Sequence, residues 1–140
     1  ATTSRRTPVW AESLLKGLFE DRSLCPLLVI ANEANRPGVV AGILGLSDVL
    51  VVTAESVSMI SEALSTGKPV FVIRPWQGQK MKRKHEDHLD HLKREGQIVV
   101  CGAGEIETLL EKWTSTPWEA GVGRRRHEEL VLSSAARRIL

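Results

Sequence analysis

The stretch "VVTAESVSMISEALSTGKPVFVI", residues 51–73, decides the fold. An apolar run stops at Thr53, a helix-patterned segment follows, and Gly67-Lys68-Pro69 leads into a second apolar run. Apolar runs rich in Val and Ile, without polar alternation, suit strands covered on both faces and therefore a parallel sheet. Between them Met59, Ile60, Ala63 and Leu64 recur at helix spacing, and the stripe ends at Gly67, a natural C-terminal cap. Strand, helix, strand is the repeating unit of an α/β domain.

The same pattern extends outward. "LLVIA" (27–31), "VLVVT" (49–53) and "VFVI" (70–73) are short apolar runs, with "IVV" (98–100) a weaker fourth. Trp10, Leu14, Leu15, Leu18 and Phe19 follow Pro8 at helix spacing, and Pro is compatible with a helix start. A charged segment, 80–95, carries Leu89 and Leu92 and closes at Gly96; 105–113 gives another helix, and 124–140 a last amphipathic one beyond Pro117. Trp10 and Trp113 fall on apolar helix faces and are assigned to the core. This alternation predicts an α/β, three-layer, doubly wound parallel sheet of Rossmann-like type. The expected organisation is one such domain over 1–118, with 119–140 as its helical extension. The chain opens on "TTSRRTP" (2–8), a loop leading into a helix, as though the strand before it were missing. In a doubly wound sheet the first strand is central. A piece of a longer protein is therefore expected.

Composition narrows the class. Formal charge is 19 − 17 = +2, too small to argue nucleic acid. Cys25 and Cys101 match no metal spacing and read as free thiols of a reducing compartment. No apolar run approaches the ~20 residues a membrane-spanning helix needs. The N-terminus lacks the apolar core of a secretory signal. A cytoplasmic protein without a transmembrane segment is expected, with peripheral membrane contact left open.

In open α/β sheets the ligand lies beyond the carboxyl ends of the strands. Thr3–Thr7, Asn32–Gly38 and Thr53–Ser56 are all expected there. Hydroxyls, backbone N–H groups at a helix start and two arginines are what a diphosphate requires. Ser4, Arg5, Arg6, Thr53 and Ser56 form the phosphate-binding set. Glu62, nearly two helical turns past Ser56, is placed to accept hydrogen bonds from a ribose diol. Plainer readings stand beside these. Ser56 as a simple helix cap, Glu62 as a solvated helix residue, and Arg5 and Arg6 as partners of nearby acids all fit the spacing.

Other clusters carry less. His85, His88 and His91, with Glu86, Asp87 and Asp90, lack the H-E-x-x-H pattern and read as a solvated helix face, so neither metal nor other cofactor is expected. Lys80, Lys82, Arg83 and Lys84 suit nucleic acid, anionic lipid, an acidic partner or plain surface charge. Trp76, in "RPWQGQ" (74–79), stacks on a base or packs against the next helix. No catalytic base or nucleophilic triad can be assembled.

The longer stretch "LSDVLVVTAESVSMISEALSTGKPVFVI" (46–73) resembles the C-terminal, nucleotide-binding half of GT-B glycosyltransferases. Within that superfamily the chain most resembles the mitochondrial-fission "elongate mitochondria" family, through Thr3–Pro8, Thr53–Val70, Lys80–Gly96 and Trp113–Glu119. The resemblance implies diphosphate at Ser56 and ribose at Glu62, with Glu55 and Asn35 as further sugar-side residues. Glu55 stands where the family usually has Asp, "NRPG" (35–38) replaces an Asn-Pro-Tyr turn, and "TPWEAG" (116–121) departs from the usual tail. The implied function is a nucleoside-diphosphate-sugar-binding domain, metal-independent and catalytically incomplete alone. An N-terminal domain would supply the base and the acceptor pocket, and the last helix or a sheet edge could form a homodimer. Two alternatives stay open: a non-catalytic interaction module of an organelle-fission family, and a UDP-sugar epimerase-like domain. The latter shares "GKPVFVIR" (67–74) but usually has a Gly-Gly pair where Val57-Ser58 stands.

Overall fold

The computed structural model describes residues 1–21, 23, 25–34, 37–74 and 81–115. The chain divides into two compact units, Ala1–Leu46 and one that begins at Ser47.

The second unit holds the sheet. Strands β1 (Leu50–Thr53), β2 (Val70–Ile73) and β3 (Val99–Cys101) lie side by side in that order, all parallel. Leu50 faces Val70 and Thr53 faces Ile73 across one junction, and Phe71 faces Val99 across the other. Helix α3 (Val57–Ser65) links β1 to β2, α4 (Arg83–Arg94) lies between β2 and β3, and α5 (Ile106–Thr114) follows β3. This is the expected α/β architecture, a parallel sheet flanked by helices.

Burial explains why these runs are strands. All of β3 and most of β2 are buried, as a central strand covered on both faces must be. Phe71, wholly buried, packs with Val99 and Trp113, and Ile106, Leu109 and Leu110 of α5 close over them. Trp113 is therefore core, as its helix face predicts. Ile60 and Ala63 are the buried stripe of α3, which packs on β1 and β2. Leu89 and Leu92 are the buried pair of α4. Both crossovers step the same way along the sheet, so the right-handed rule puts α3 and α4 on one face. Gly96, at φ 67°, ends α4. Its N–H donates to the Lys93 carbonyl at 3.1 Å and the Gln97 N–H to that of Leu92 at 3.0 Å, a paired closure that needs a left-handed residue.

The first unit departs from expectation. The run 27–31 forms no extended strand; it contributes one parallel bridge, Thr2 to Val29. Thr3 N–H donates to the Val29 carbonyl at 3.0 Å and Val29 N–H to that of Ala1 at 3.0 Å, so pairing stops as the chain turns at Ser4. Helix α1 (Val9–Leu18) forms as predicted, but Trp10 is 71% exposed and is not core. Val9, Leu14 and Leu18 are exposed too, whereas the acid Glu12 is the one buried residue of α1. A helix that periodicity did not reveal, α2 (Val39–Leu46), completes the unit. Pro117, the 119–140 extension with its 124–140 helix, Trp76, Lys80 and Asn35 lie outside the described residues.

Both cysteines are free and buried. Burial, and secondarily the nearby charge of Glu105, pushes the Cys101 thiol above its ordinary range. The folded state thus holds that proton more tightly than the unfolded chain. The associated stability is complete below the unfolded thiol's pKa and is lost as pH rises through the folded value.

Two outcomes are expected. Phe71→Ala removes a fully buried ring and destabilises by about 3–5 kcal/mol in denaturant unfolding, whereas Trp10→Ala changes stability by about 0.5 kcal/mol or less. Glu105→Gln removes the negative charge but keeps an oxygen for the Gly102 N–H that Glu105 Oε2 accepts at 2.7 Å. The Cys101 pKa then falls, and alkylation by iodoacetamide at fixed mildly alkaline pH accelerates relative to wild type.

Candidate functional site

Because all three strands run parallel, their carboxyl ends share one edge of the sheet. Beyond β1 the chain turns through Ala54 and Glu55 into Ser56. The Ala54 N–H donates to the Ile73 carbonyl at 2.9 Å, and the Arg74 N–H to the Cys101 carbonyl at 2.9 Å. Those bonds carry the ladder one residue past each strand and align the three connections. Thr53 and Glu55 are exposed, Ser56 is half-buried, and Glu62 is exposed on α3.

Ser56 occupies the N-cap position of α3, yet its side chain makes no capping hydrogen bond. The first intrahelical bond runs from the Ile60 N–H to the Ser56 carbonyl at 3.0 Å. Among the described residues the amides of Val57, Ser58 and Met59 donate to no acceptor. The helix therefore presents uncapped N–H groups and a hydroxyl at the carboxyl edge, an arrangement that favours an anion. Glu62 and Ser58, one turn apart, are both exposed on this helix.

Arg74, which follows β2, was not singled out by sequence pattern. One guanidinium nitrogen donates to Asp90 Oδ1 of α4 at 3.2 Å, while its Nε is buried with no partner among the described residues. The side chain is 37% exposed. It supplies a cation between the β1 and β3 connections. Only its position past an apolar run could have flagged it.

The first unit carries the other predicted set. Ser4 to Thr7 form a tight turn: Ser4 N–H donates to Thr7 Oγ1 at 3.0 Å, Arg6 N–H to Ser4 Oγ at 3.2 Å, and Thr7 N–H to the Ser4 carbonyl at 3.0 Å. Arg5 and Arg6 are exposed, and among the described residues neither forms an ion pair. The plain reading, in which they pair with acids, finds no support there. Asn32 is drawn to this turn through Glu12, which accepts from Asn32 Nδ2 at 2.8 Å and from Thr3 Oγ1 at 3.3 Å. A cleft of about 600 Å³ also lies in this unit, lined by Lys16, Phe19, Leu28, Ile30, Glu33 and Val39 among others. Lys16 and Glu33 pair beside it. Glu33 and Ala34 of the predicted 32–38 stretch line it, but among the described residues none of Ser4, Arg5, Arg6, Thr53, Glu55, Ser56 and Glu62 does.

On α4, His85 and His88 are half-buried and His91 is exposed; His88 Nε2 is buried without a partner among the described residues. No group of three or more His, Cys, Asp or Glu side chains is set to hold a metal ion among the described residues. Lys82, Arg83 and Lys84 are exposed where α4 starts. No helix among the described residues is long and apolar enough to cross a membrane.

The family model described as mitochondrial fission ELM1 matches residues 1–121. A plant relative, the mitochondrial fission protein ELM1 of Arabidopsis thaliana, is 34% identical over 116 residues, which is 83% of this chain and 25% of the relative. The chain thus spans about a quarter of the length of the curated relative it matches. No solved structure matches it. The matched region takes in both the arginine turn and the uncapped start of α3, and on these grounds the chain belongs to the mitochondrial fission ELM1 family.

Proposed function

We propose that this chain binds the nucleoside diphosphate of a sugar nucleotide within a longer, glycosyltransferase-like protein. One observation carries the reading. A helix N-terminus opens at the carboxyl edge of a parallel sheet with its first amides and the Ser56 hydroxyl left uncapped. Phosphate is the ligand that such a terminus suits best, since N–H donors and the helix dipole act together. Ser56 and the α3 amides would take one phosphate, with Thr53 beside them. In the first unit, the Ser4 hydroxyl and the Arg5 and Arg6 guanidiniums would be further phosphate ligands. Glu62 would accept from the ribose hydroxyls, with Glu55 toward the sugar; Asn35, the other residue expected on the sugar side, lies outside the described residues. In a transfer reaction the same donors would stabilise charge on the departing diphosphate. The proton acceptor and the acceptor pocket would come from the remainder of the protein.

Family membership supports a second reading. The plant relative is named for mitochondrial fission, and a fission protein could keep this fold purely to dock a partner. The exposed cations Lys82, Arg83 and Lys84 would then meet an acidic surface.

Calorimetry on the full-length protein with UDP and GDP tests the first reading. Binding of at least one is expected, weakened about tenfold or more by Arg5→Ala or Arg6→Ala through loss of a charge-assisted bond. Absence of heat for both nucleotides, with the protein folded, ends it. The docking reading expects Ser56→Ala combined with Glu62→Ala to leave cellular function intact.

A further inference from the structure

We infer that Glu12 is a positioning residue that sets where the arginine turn stands, an inference resting on the proposal that this turn meets the diphosphate. Glu12 is 6% exposed, an unusual place for a carboxylate. Its Oε1 accepts from Thr3 Oγ1 at 3.3 Å and from Asn32 Nδ2 at 2.8 Å. Thr3 Oγ1 in turn accepts from the Ala31 N–H at 2.9 Å. One carboxylate oxygen therefore ties three segments together: the residue before Ser4, helix α1, and the turn that follows Val29.

A buried carboxylate is costly to keep unless it is hydrogen-bonded. No cation pairs with Glu12 among the described residues. Two donors and the first turn of α1, where the helix dipole favours negative charge, offset that cost. A leucine would fill the space more cheaply, so what the acid contributes is geometry. Bonds inside the turn fix its shape, and the Thr2–Val29 bridge and the Ala31 N–H bond to Thr3 Oγ1 seat its start on the 29–31 run. Glu12 adds the ties to Asn32 and to α1. Two arginines presented from an anchored turn lose less freedom on meeting an anion than two on a loose loop.

The full-length protein tests this with Glu12→Gln, Glu12→Leu and Thr3→Val, read by thermal unfolding, amide hydrogen exchange and calorimetry with UDP and GDP. Gln keeps the accepting oxygen, so Glu12→Gln should bind within about threefold of wild type. Glu12→Leu and Thr3→Val, folded, should bind about tenfold or more weakly, with faster exchange at the Ser4, Arg6 and Thr7 amides. Should Glu12→Leu fail to fold, Thr3→Val decides. Wild-type affinity in a folded Leu or Val variant, or equal damage from Gln and Leu, overturns the inference. If wild type binds neither nucleotide, the nucleotide reading falls by itself. Amide exchange still judges Glu12: faster at Ser4, Arg6 and Thr7 in Glu12→Leu but not in Glu12→Gln supports the positioning role, unchanged overturns it.

Discussion

Parallel pairing of three strands of three or four residues is the constraint on which the second unit depends. Strands this short bury few side chains, so the central one must be covered on both faces to hold. Phe71 beneath Trp113 does this on one face, with α5 closing over it. The helices of the crossovers follow from the same constraint, because a parallel strand can only be reached by crossing over the sheet. Once the pairing is fixed, all the carboxyl ends gather on one edge. Ala54, Arg74 and Gly102, each one residue past its strand, become neighbours there without any contact between their side chains being required.

That edge is polar because the backbone forces it to be. The last ladder bonds, from Ala54 and Arg74, satisfy the groups that leave the strands. The first amides of α3 have no such outlet, and Ser56 does not provide one. A capping serine would normally accept from an amide two or three residues ahead. Leaving that bond unmade forgoes roughly 1 kcal/mol of helix stability. A ligand oxygen in the same position would satisfy those amides. Under the proposed reading, local stability and ligand affinity would compete for one set of donors at the mouth of α3.

Much of the second unit was legible because its strands and helices carry opposite periodicities. Continuous Val and Ile marked β1 and β2, and Ile60 and Ala63 marked the buried side of α3. The first unit was harder. Helix α2, "VVAGILGL", is apolar all round, so no amphipathic period announces it, and its glycines argue against a helix. The run 27–31 has strand composition, but the short Ala1–Thr3 segment beside it sustains only one bridge. Trp10 follows helix spacing onto a face that solvent reaches. Ser4, Arg5 and Arg6 of the first unit and Ser56 of the second were legible as types of residue that hold anions. Glu12 and Arg74 were not, because an acid in a first helical turn and an arginine after a strand look like ordinary surface. Their meaning lies in partners 9, 20 and 16 residues away, which no local pattern encodes.

Glu12 and Arg74 share a logic despite lying in different units. Each is a charged group held in part away from water, and each leans on a short polar contact rather than on hydrophobic packing. Asp90 holds one end of the Arg74 guanidinium and leaves Nε without a partner among the described residues. Thr3 and Asn32 hold the Glu12 carboxylate where α1 begins. An apolar residue at either position would be simpler to bury. Retaining charge there makes sense when the surrounding loops must hold one arrangement. In each case the charge lies beside a segment that leaves a parallel pairing, the Thr2–Val29 bridge for Glu12 and the end of β2 for Arg74.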